Sequence, residues 1–349
     1  MNTKEVCKML DATIKTLIVY EEYGIVVPKR EENNYRNYSE DDVLKLRTVK
    51  LLKELGFSLK DIKSLMEKNN YATTQFMRSL YLQLKAVETK MNELDHVKNT
   101  LVTSIDKMLD SSKAVDQDSF LRDMDTILKE NKDNRRIWVD MWGFDNKAIK
   151  FDKMVRDSER DELGLFEKYD EILSEIRTRI RNHKAMSIID IGCGTGNLCG
   201  ELSADIDVVG IDQSLEMIVQ AKKKYGDMKF RLGNFLDKPY RNKDVDIVVT
   251  TYAFHSLNEE EKKEAIDNML EYIKEDGKII IVDFMFLNDF EKEERKKEYY
   301  EKGRQDLWEV VDYKYYTNLE KLENYIHRLG CKMKKEHVVN FTWIVEIQN

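Results

Sequence analysis

A glycine-rich stretch that could hold a small ligand runs from Ser187 to Leu198 and reads SIIDIGCGTGNL. Its apolar first residues predict a strand that carries Asp190, and the alternating glycines after it let backbone N–H groups approach a ligand closely. The next apolar run is followed by Asp212, about twenty residues further on, where a carboxylate can accept hydrogen bonds from both hydroxyls of a ribose. Strand, loop and second acid together predict a site for a cofactor that contains a nucleoside.

Two such cofactors, NAD and S-adenosylmethionine, can be separated by the spacing of the glycines. The dinucleotide fingerprint is G-x-G-x-x-G, whereas this chain has G-x-G-x-G. Asp190 would repel a pyrophosphate and attract an ammonium group. The sequence therefore favours S-adenosylmethionine.

The elements that must position this loop are short apolar runs that alternate with helical segments. Strands are predicted at Ser187–Ile191, Val208–Ile211, Lys229–Leu232, Asp246–Thr251 and Lys278–Phe284. A helix is expected to begin at Asn197, and two further strands between Lys332 and Ile347 are expected to form an antiparallel edge. The alternation predicts a parallel sheet with helices on both faces.

These residues resemble the class I S-adenosylmethionine-dependent methyltransferases, in particular their small-molecule branch, over about residues 150–349. The motifs that carry the resemblance are DIGCGTG, VVGIDQS, FRLGNF, DIVVTTYAFHSL and DGKIIIVD. The resemblance implies a Rossmann-like fold. The cofactor contacts it implies are Asp190, Gly192, Gly194 and Gly196 for the methionine part, Asp212 for the ribose, Gln213 and Met217 for the adenosine, and Asn234 and Phe235 for the adenine. The family often has Asp where Asn234 stands, and an amide can still hydrogen-bond the exocyclic amine.

Further residues of this domain could serve the cofactor or the methyl acceptor. Tyr169 lies in the upstream segment LFEKYDEI and could close over the cofactor or pack on the sheet, and Thr251 and His255 follow a strand where open α/β sheets bind ligands. His255 is a candidate general base, although methyl transfer needs mainly alignment of the nucleophile with the methyl group. Six aromatic residues could wall an acceptor pocket or form core: Tyr299, Tyr300, Trp308, Tyr313, Tyr315 and Tyr316.

The first part of the chain predicts short helices and a polar hairpin. The helices are TKEVCKML from Thr3, Ile14–Tyr23, a segment that is capped by Ser39 and ends at Leu55, and one that is capped by Ser58 and ends at Met66. The first two have helix-turn-helix spacing. A basic and aromatic stretch from Pro28 to Tyr38 has turn residues at its tip and is consistent with a wing.

Apolar residues then repeat at alternating steps of three and four, as in a coiled coil. The repeat comprises Met77, Leu80, Leu84, Val87, Met91, Leu94, Leu101, Ile105 and Met108, and Lys98 interrupts it. Sustained heptads favour pairing with a second chain over packing on the helix's own domain. The sequence thus predicts a homodimer formed through the helix from Leu80 to Met108.

The N-terminal segments resemble the MerR family of transcription regulators over residues 1 to about 109. The resemblance is carried by TKEVCKML, TLIVYEEYGIVVP, NNYRNYSEDDVLKL and LLKELGFSLKDI, followed by the long helix. It implies a winged helix-turn-helix that binds double-stranded promoter DNA as a dimer. The implied contacts are Lys15, Thr16 and Tyr20 in the major groove, and Lys29, Arg30, Tyr35, Arg36 and Tyr38 on phosphates. The family usually has Arg and Tyr where this chain has Ile18 and Val19, so that a phosphate contact is missing or moved.

Composition restricts the function further. The 349 residues carry a formal net charge of −8, and no run of about 18 apolar residues could cross a bilayer. Residues 1–110 contain 18 Lys and Arg against 17 Asp and Glu, so DNA binding there requires a local basic surface. Four cysteines and five histidines without ligand spacing predict neither a disulfide framework nor a metal site, and a reducing cytoplasm is expected.

The predicted organisation is a DNA-binding domain over 1–70, a dimerisation helix over 71–110, a helical linker over 111–150 and a methyltransferase-like domain over 151–349. Our preferred hypothesis is a dimeric regulator whose C-terminal domain binds S-adenosylmethionine and methylates a small molecule. The alternative is primarily a small-molecule methyltransferase with an autoregulatory DNA-binding head. Methylation of DNA or RNA is disfavoured, because TYAFH stands where an Asn/Asp-Pro-Pro-aromatic motif would follow the fourth strand.

Overall fold

The structure, a computed structural model, describes residues 1–31, 34–67, 74–110, 143–157, 159, 161–237 and 245–348. The chain divides into two compact units, Met1–Val139 and Asp140–Asn349. Most of the predicted helical linker over 111–150 lies outside the described residues. Within the described residues, no helix combines the length and the apolar character that membrane crossing requires.

The N-terminal unit contains the short helices that the sequence predicts. They are α1 (Thr3–Leu10), α2 (Ile14–Glu22), α3 (Glu40–Glu54) and α4 (Leu59–Glu67). The side chains of Thr13, Ser39 and Ser58 accept backbone N–H groups at the starts of α2, α3 and α4, which fixes where these helices begin. An antiparallel hairpin, β1 (Lys29–Arg30) and β2 (Arg36–Asn37), lies between α2 and α3.

The long helix α5 (Thr74–Asp110) has 37 residues and carries the heptad repeat. Eight apolar side chains of the repeat are between 36% and 57% exposed: Met77, Leu80, Leu84, Val87, Met91, Leu94, Leu101 and Ile105. The side chain of Met108 lies outside the described part of the chain. The single chain therefore presents these side chains to solvent, and the homodimer stays a prediction.

The C-terminal unit is built on a mixed sheet. Its strands are β3 (Ser187–Ile191), β4 (Asp207–Asp212), β5 (Lys229–Leu232), β6 (Val245–Thr251), β7 (Ile273–Phe286), β8 (Thr317–Asn318), β9 (Lys332–Val339) and β10 (Thr342–Gln348). Their order is β5-β4-β3-β6-β7-β10-β9, with β8 paired to the end of β7. Neighbouring strands in the series β5, β4, β3, β6 and β7 are parallel, whereas β10 is antiparallel to both β7 and β9. The parallel sheet and its antiparallel edge are as the sequence predicts.

Helices precede the first strand of this sheet and lie between several of the later ones. They are α6 (Phe144–Lys147), α7 (Phe151–Met154), α8 (Tyr169–Asn182), α9 (Leu215–Lys224), α10 (Glu259–Tyr272), α11 (Asp289–Glu301), α12 (Gln305–Asp312) and α13 (Leu319–Arg328), with a 3-10 turn between α6 and α7. The prediction that a helix begins at Asn197 is wrong, because turns occupy this segment up to β4. Gly196 and Gly200 both lie against the ring of Tyr225, and glycine disfavours a regular helix.

The core of this unit packs α8 against the central strands of the sheet. Ile172, Ile176 and Ile180 recur along α8 at helical spacing and share one buried cluster with β6 and β7, including Ile247 and Ile280. The strand order reverses between β3 and β6, since β4 lies on one side of β3 and β6 on the other. In open α/β sheets, such a reversal leaves a crevice at the carboxyl ends of the strands, where ligands bind.

Candidate functional site

The glycine loop follows β3 at this crevice. Gly192, Gly194 and Gly196 all have positive φ values, of 73°, 53° and 79°, which side chains disfavour. A Cβ added at Gly192 would lie 2.4 Å from the Cβ of Ala253, in the turn after β6. The loop therefore lies directly against the turn that carries His255, and a side chain at Gly192 would separate the two.

Asp190 is a buried carboxylate beside this loop. It is 1% exposed, and neither of its oxygens accepts a conventional hydrogen bond from a described residue. Burial raises its pKa to about 7, the thiol of Cys199 lowers it in part, and the charge of Asp212 raises it further. A buried carboxylate without such partners is costly unless a donor reaches it. It suits the ammonium group of an amino acid, which is the group S-adenosylmethionine would bring here.

Asp212, at the end of β4, holds the loop together. Its two oxygens accept the backbone N–H groups of Gly194 and Ser214, each at 2.8 Å. Asp212 therefore has a structural role besides the predicted ligand contact.

The remaining predicted cofactor residues surround the same strand ends. Met217 and Phe235 are buried, Gln213 and Thr251 are half-buried, and Asn234 accepts the backbone N–H of Leu236 at 2.7 Å. Gln213 directly follows Asp212, whereas Asn234 and Phe235 follow β5, the neighbouring strand. The structure thus brings these residues to consecutive carboxyl ends of parallel strands, and their contacts with a cofactor stay a prediction.

A helical segment that sequence reasoning missed covers the glycine loop. This strap, residues 144–154, contains α6, the 3-10 turn and α7. The carboxylate of Asp152 accepts hydrogen bonds from Thr195 Oγ1 at 2.5 Å, Asn197 Nδ2 at 3.0 Å and Lys224 Nζ at 2.7 Å. Burial would raise the pKa of Asp152, but its bonds from Lys224, Thr195 and Asn197 hold it below the usual range. The strap is thereby tied to the loop.

The other end of the strap reaches the loop after β4. Asp145 accepts Ser214 Oγ at 2.5 Å and the backbone N–H of Glu216 at 3.3 Å. Residues 143–150, which the sequence assigns to the linker, therefore pack on the cofactor half of the chain. No local motif marks them, because their partners lie at least 69 positions away in the sequence.

Tyr252 begins the turn after β6 in a strained conformation. Its φ is +54°, a region that residues other than glycine rarely adopt, and such strain is common at functional sites. Its ring lies 5.6 Å from that of Tyr169 and 5.3 Å from that of Phe284. Tyr169 is buried, and its hydroxyl accepts a bond of 3.2 Å from Asn197 Nδ2. Tyr169 therefore both packs on the sheet and reaches the glycine loop.

His255 forms a buried pair with Asp283, a residue that sequence reasoning did not single out. The Nδ1 atom of His255 lies 2.7 Å from Asp283 Oδ1, and its backbone N–H donates to Oδ2 at 2.9 Å. Burial lowers the pKa of His255, and Asp283 offsets this in part. Burial would raise the pKa of Asp283, but His255 and the backbone N–H groups that donate to this carboxylate hold its pKa below the usual value. An ionised Asp283 only accepts, so Nδ1 carries the proton and Nε2 the lone pair.

An aromatic cluster surrounds this pair. The ring of Phe284 lies 5.0 Å from that of His255 and 5.3 Å from that of Tyr316. Of the six aromatic residues that the sequence suggested, Trp308 is buried, Tyr299 and Tyr316 are half-buried, and Tyr300, Tyr313 and Tyr315 are exposed. Only some of them can therefore belong to a pocket beside His255.

The predicted DNA-binding residues divide into exposed and buried groups. Lys15, Lys29, Arg30 and Tyr35 are exposed, and Thr16 and Arg36 are half-buried. Arg30 and Arg36 reach one carboxylate, that of Glu21 on α2, at 3.0 and 2.6 Å. Burial would raise the pKa of Glu21, but both guanidinium groups lower it. Glu21, which sequence reasoning missed, thus fixes the hairpin against α2.

The structure places Tyr20 and Tyr38 in the core of the N-terminal unit and not on the predicted DNA-binding surface. They are 9% and 2% exposed and belong to the core of the N-terminal unit. Tyr20 follows Leu17 by three residues, so both point to the buried face of α2. Tyr38 packs in the same cluster as Val43, next to the start of α3. The other predicted contacts, which are the basic residues, Thr16 and Tyr35, are exposed or half-buried.

Two family models match separate parts of the chain. Residues 182–330 match a methyltransferase domain, and residues 1–69 match the MerR HTH family of regulatory proteins. An uncharacterized methyltransferase of Anoxybacillus flavithermus is 33% identical over 204 residues, which are 58% of this chain and 94% of that relative. The chain belongs to this methyltransferase family. An uncharacterized methyltransferase of Bacillus pumilus is 32% identical to this chain over 204 residues, which are 58% of this chain and 94% of that relative.

This methyltransferase thus has a MerR HTH domain at its N-terminus. Solved structures similar to it are more distant. The DhpI-SAM-HEP complex is 16% identical with a TM-score of 0.44, and the match covers 59% of this methyltransferase and 94% of that chain. Magnesium protoporphyrin IX methyltransferase from Synechocystis, with bound SAH, is 15% identical with a TM-score of 0.44, over 58% and 94% of the two chains.

Proposed function

We propose that the protein is a dimeric DNA-binding transcription regulator whose C-terminal domain binds S-adenosylmethionine and methylates a small molecule. The observation that carries the cofactor assignment is the carboxylate of Asp190, buried beside the glycine loop without a conventional hydrogen-bond donor among the described residues. The methionine ammonium would supply that donor, and Asp212 would accept the ribose hydroxyls. Membership of the methyltransferase family supports the same assignment.

The residues of the site divide the chemistry between them. When bound, S-adenosylmethionine supplies an activated methyl group on its sulfonium. Gly192 keeps the cofactor loop against the turn after β6, so that the acceptor and the methyl group can be aligned. His255, held in one tautomer by Asp283, accepts at Nε2 the proton that the nucleophile releases.

The regulatory half of the proposal rests on the MerR HTH domain and on the geometry of the hairpin. Lys15, Lys29 and Tyr35 are exposed, and the bonds from Arg30 and Arg36 to Glu21 orient two guanidinium groups that retain further donors for phosphates. The exposed heptad face of α5 would pair with that of a second chain and place two such domains on one promoter.

Calorimetric titration of the full-length chain with S-adenosylmethionine tests the cofactor assignment. Asp190→Asn should weaken binding about tenfold to hundredfold, since a hydrogen bond to a charged group contributes about 1.5–3 kcal/mol. Asp205→Asn, at an exposed acid, is the matched control and should bind like the wild type. Asp212 is less suitable, because its loss would also release Gly194 and Ser214. Equal affinity in wild type and Asp190→Asn would contradict the assignment.

The alternative is an enzyme whose DNA-binding head only controls its own expression. The His255–Asp283 pair favours methyl transfer as a function in itself, since a pure sensor needs no oriented base. The two functions are separated by a gel shift with the protein's own promoter region. A regulator that senses the cofactor should change its DNA affinity when S-adenosylmethionine is added, whereas a tethered enzyme should transfer labelled methyl groups with no such change.

A further inference from the structure

Lys314 is a charged residue at the edge of the aromatic cluster that the proposed reaction does not use. It lies between α12 and β8, is half-buried, and holds its ammonium group 5.2 Å from the centroid of the Phe284 ring. The same ring lies 5.0 Å from that of His255. The Phe284 ring therefore contacts both Lys314 and the candidate base.

The position of the cluster links Lys314 to the cofactor loop. The backbone N–H of Tyr315, the next residue, donates to the carbonyl of His255 at 3.2 Å. Two residues before His255, Ala253 lies against Gly192 of the glycine loop. An acceptor placed between the loop and His255 would thus lie near the segment that carries Lys314.

The charge of Lys314 is unpaired within the described part of the chain. Its ammonium group has neither an ion pair nor a hydrogen bond there. It does make a cation–π contact with the ring of Phe284. Burial lowers its pKa, Lys147 lowers it further, and Asp283 and Asp161 raise it in part. A desolvated ammonium without an anion is unfavourable, and a bound anion would relieve it.

The acids near Lys314 are already engaged by other groups. Asp283 accepts His255 Nδ1 and two backbone N–H groups, those of His255 and Phe284. Asp161 accepts the backbone N–H groups of Leu165 and Phe166 at 2.8 and 2.6 Å. Neither carboxylate forms an ion pair with Lys314, which leaves the ammonium available to a ligand.

A second polar group in the cluster lacks a partner. The hydroxyl of Tyr316 is buried without a hydrogen bond from or to a described residue, and its ring lies 5.3 Å from that of Phe284. A cation and a hydroxyl around one aromatic ring match a ligand with an apolar body and an anionic end.

We propose that the methyl acceptor is a small molecule with an apolar or aromatic body and an oxyanion group, and that Lys314 binds this oxyanion. The inference rests on the proposed function, because it assigns the acceptor of that reaction. The shared chemistry is the oxyanion, and carboxylates and phosphate monoesters are its two sources. Lys314 is a specificity-determining residue in this assignment.

The test uses the full-length chain saturated with S-adenosylhomocysteine and two matched pairs of probes. Benzoate is compared with benzamide, and phenyl phosphate with phenol, by calorimetric titration. At least one anion should bind tenfold or more tightly than its neutral counterpart, and the more tightly bound anion identifies the source. Lys314→Met should remove this preference, whereas Lys314→Arg should retain most of it.

A matched control is Lys296→Met, because the Lys296 ammonium also lies over a ring, that of Tyr300 at 5.9 Å. It should leave the preference unchanged. S-adenosylhomocysteine should bind all variants equally, which shows that they are folded. If the wild type binds S-adenosylhomocysteine but prefers neither anion, or if Lys314→Met keeps the preference, the inference is wrong while the proposed function stands. Failure of the wild type to bind S-adenosylhomocysteine would instead contradict the proposed function, and this inference with it.

Discussion

At the scale of the residue, Asp190 should make cofactor binding depend on pH. Burial raises the pKa of this carboxyl to about 7, so the folded apo protein holds a proton there that the unfolded chain loses near pH 4. This group therefore lowers the stability of the apo protein as pH rises from about 4 to 7. An ammonium ligand needs the ionised form, so affinity should move in the opposite direction.

We expect the dissociation constant for S-adenosylmethionine to rise about tenfold from pH 8 to pH 6, as the ionised fraction of a group of pKa about 7 falls by that factor. Calorimetry at several pH values measures the change. Asp190→Asn should bind weakly at every pH, with only the dependence that the ligand's own ionisation causes. A wild-type profile parallel to that of the variant would show that Asp190 does not contact the ammonium.

Single residues were predictable where a local motif places them. Asp212 is the last residue of β4 and Asp190 is the last but one of the neighbouring strand β3, so both lie near the carboxyl ends of these strands, as their spacing indicates. Asp283 was not predictable, because its partner His255 is 28 positions away and the pair forms only when β6 and β7 align. The resemblance places Tyr20 on the DNA surface, although its spacing from Leu17 already indicates a buried face.

At the scale of the element, the strap over residues 144–154 should respond to the cofactor. Its two carboxylates, Asp145 and Asp152, hold the loops after β4 and β3, which are the loops proposed to bind S-adenosylmethionine. A ligand that orders these loops should also order the strap, since the two are linked by the same bonds. Hydrogen exchange over residues 144–154 should therefore slow when S-adenosylmethionine is added.

Asp152→Ala should remove this protection and weaken cofactor binding about fivefold, because a partly exposed ion pair contributes up to about 1 kcal/mol. The control is Lys153→Ala, at an exposed neighbour on the same helix. Exchange mass spectrometry with and without cofactor gives the first result and calorimetry the second. Equal protection in Asp152→Ala and in the wild type would mean that the strap docks independently of the loop.

Elements with strong periodicity were predictable and those without it were not. The runs at β3 and β5 were assigned with the bounds that the structure has. β7 extends beyond its predicted range at both ends, because Ile273 pairs with β6 and Met285 and Phe286 pair with β8. At the first end, the charged residues Lys274 and Asp276 interrupt the apolar pattern and hide the start of the strand. The strap has too few residues per helix to show a period, and its folding depends on distant partners.

At the scale of the whole molecule, the apolar face of α5 is the feature that should determine assembly. The face is exposed in the single chain along its heptad repeat, and a helix with such a face is stabilised by pairing with a second one. Leu94→Glu would place a charge in the middle of the seam, where pairing would bury it. We expect this variant to have half the mass of the wild type in light scattering and to lose most of its affinity for promoter DNA.

The loss of DNA affinity follows from geometry, because two half-sites are bound together only when both domains belong to one dimer. Thr89→Glu is the matched control, since Thr89 is exposed on α5 but lies outside the repeat, so its mass and DNA affinity should stay those of the wild type. Cofactor binding should be the same in both variants, because Leu94 and the glycine loop belong to different units. A wild type that is monomeric at micromolar concentration, or a Leu94→Glu variant that stays dimeric, would show that α5 does not form the dimer and that any pairing uses another surface.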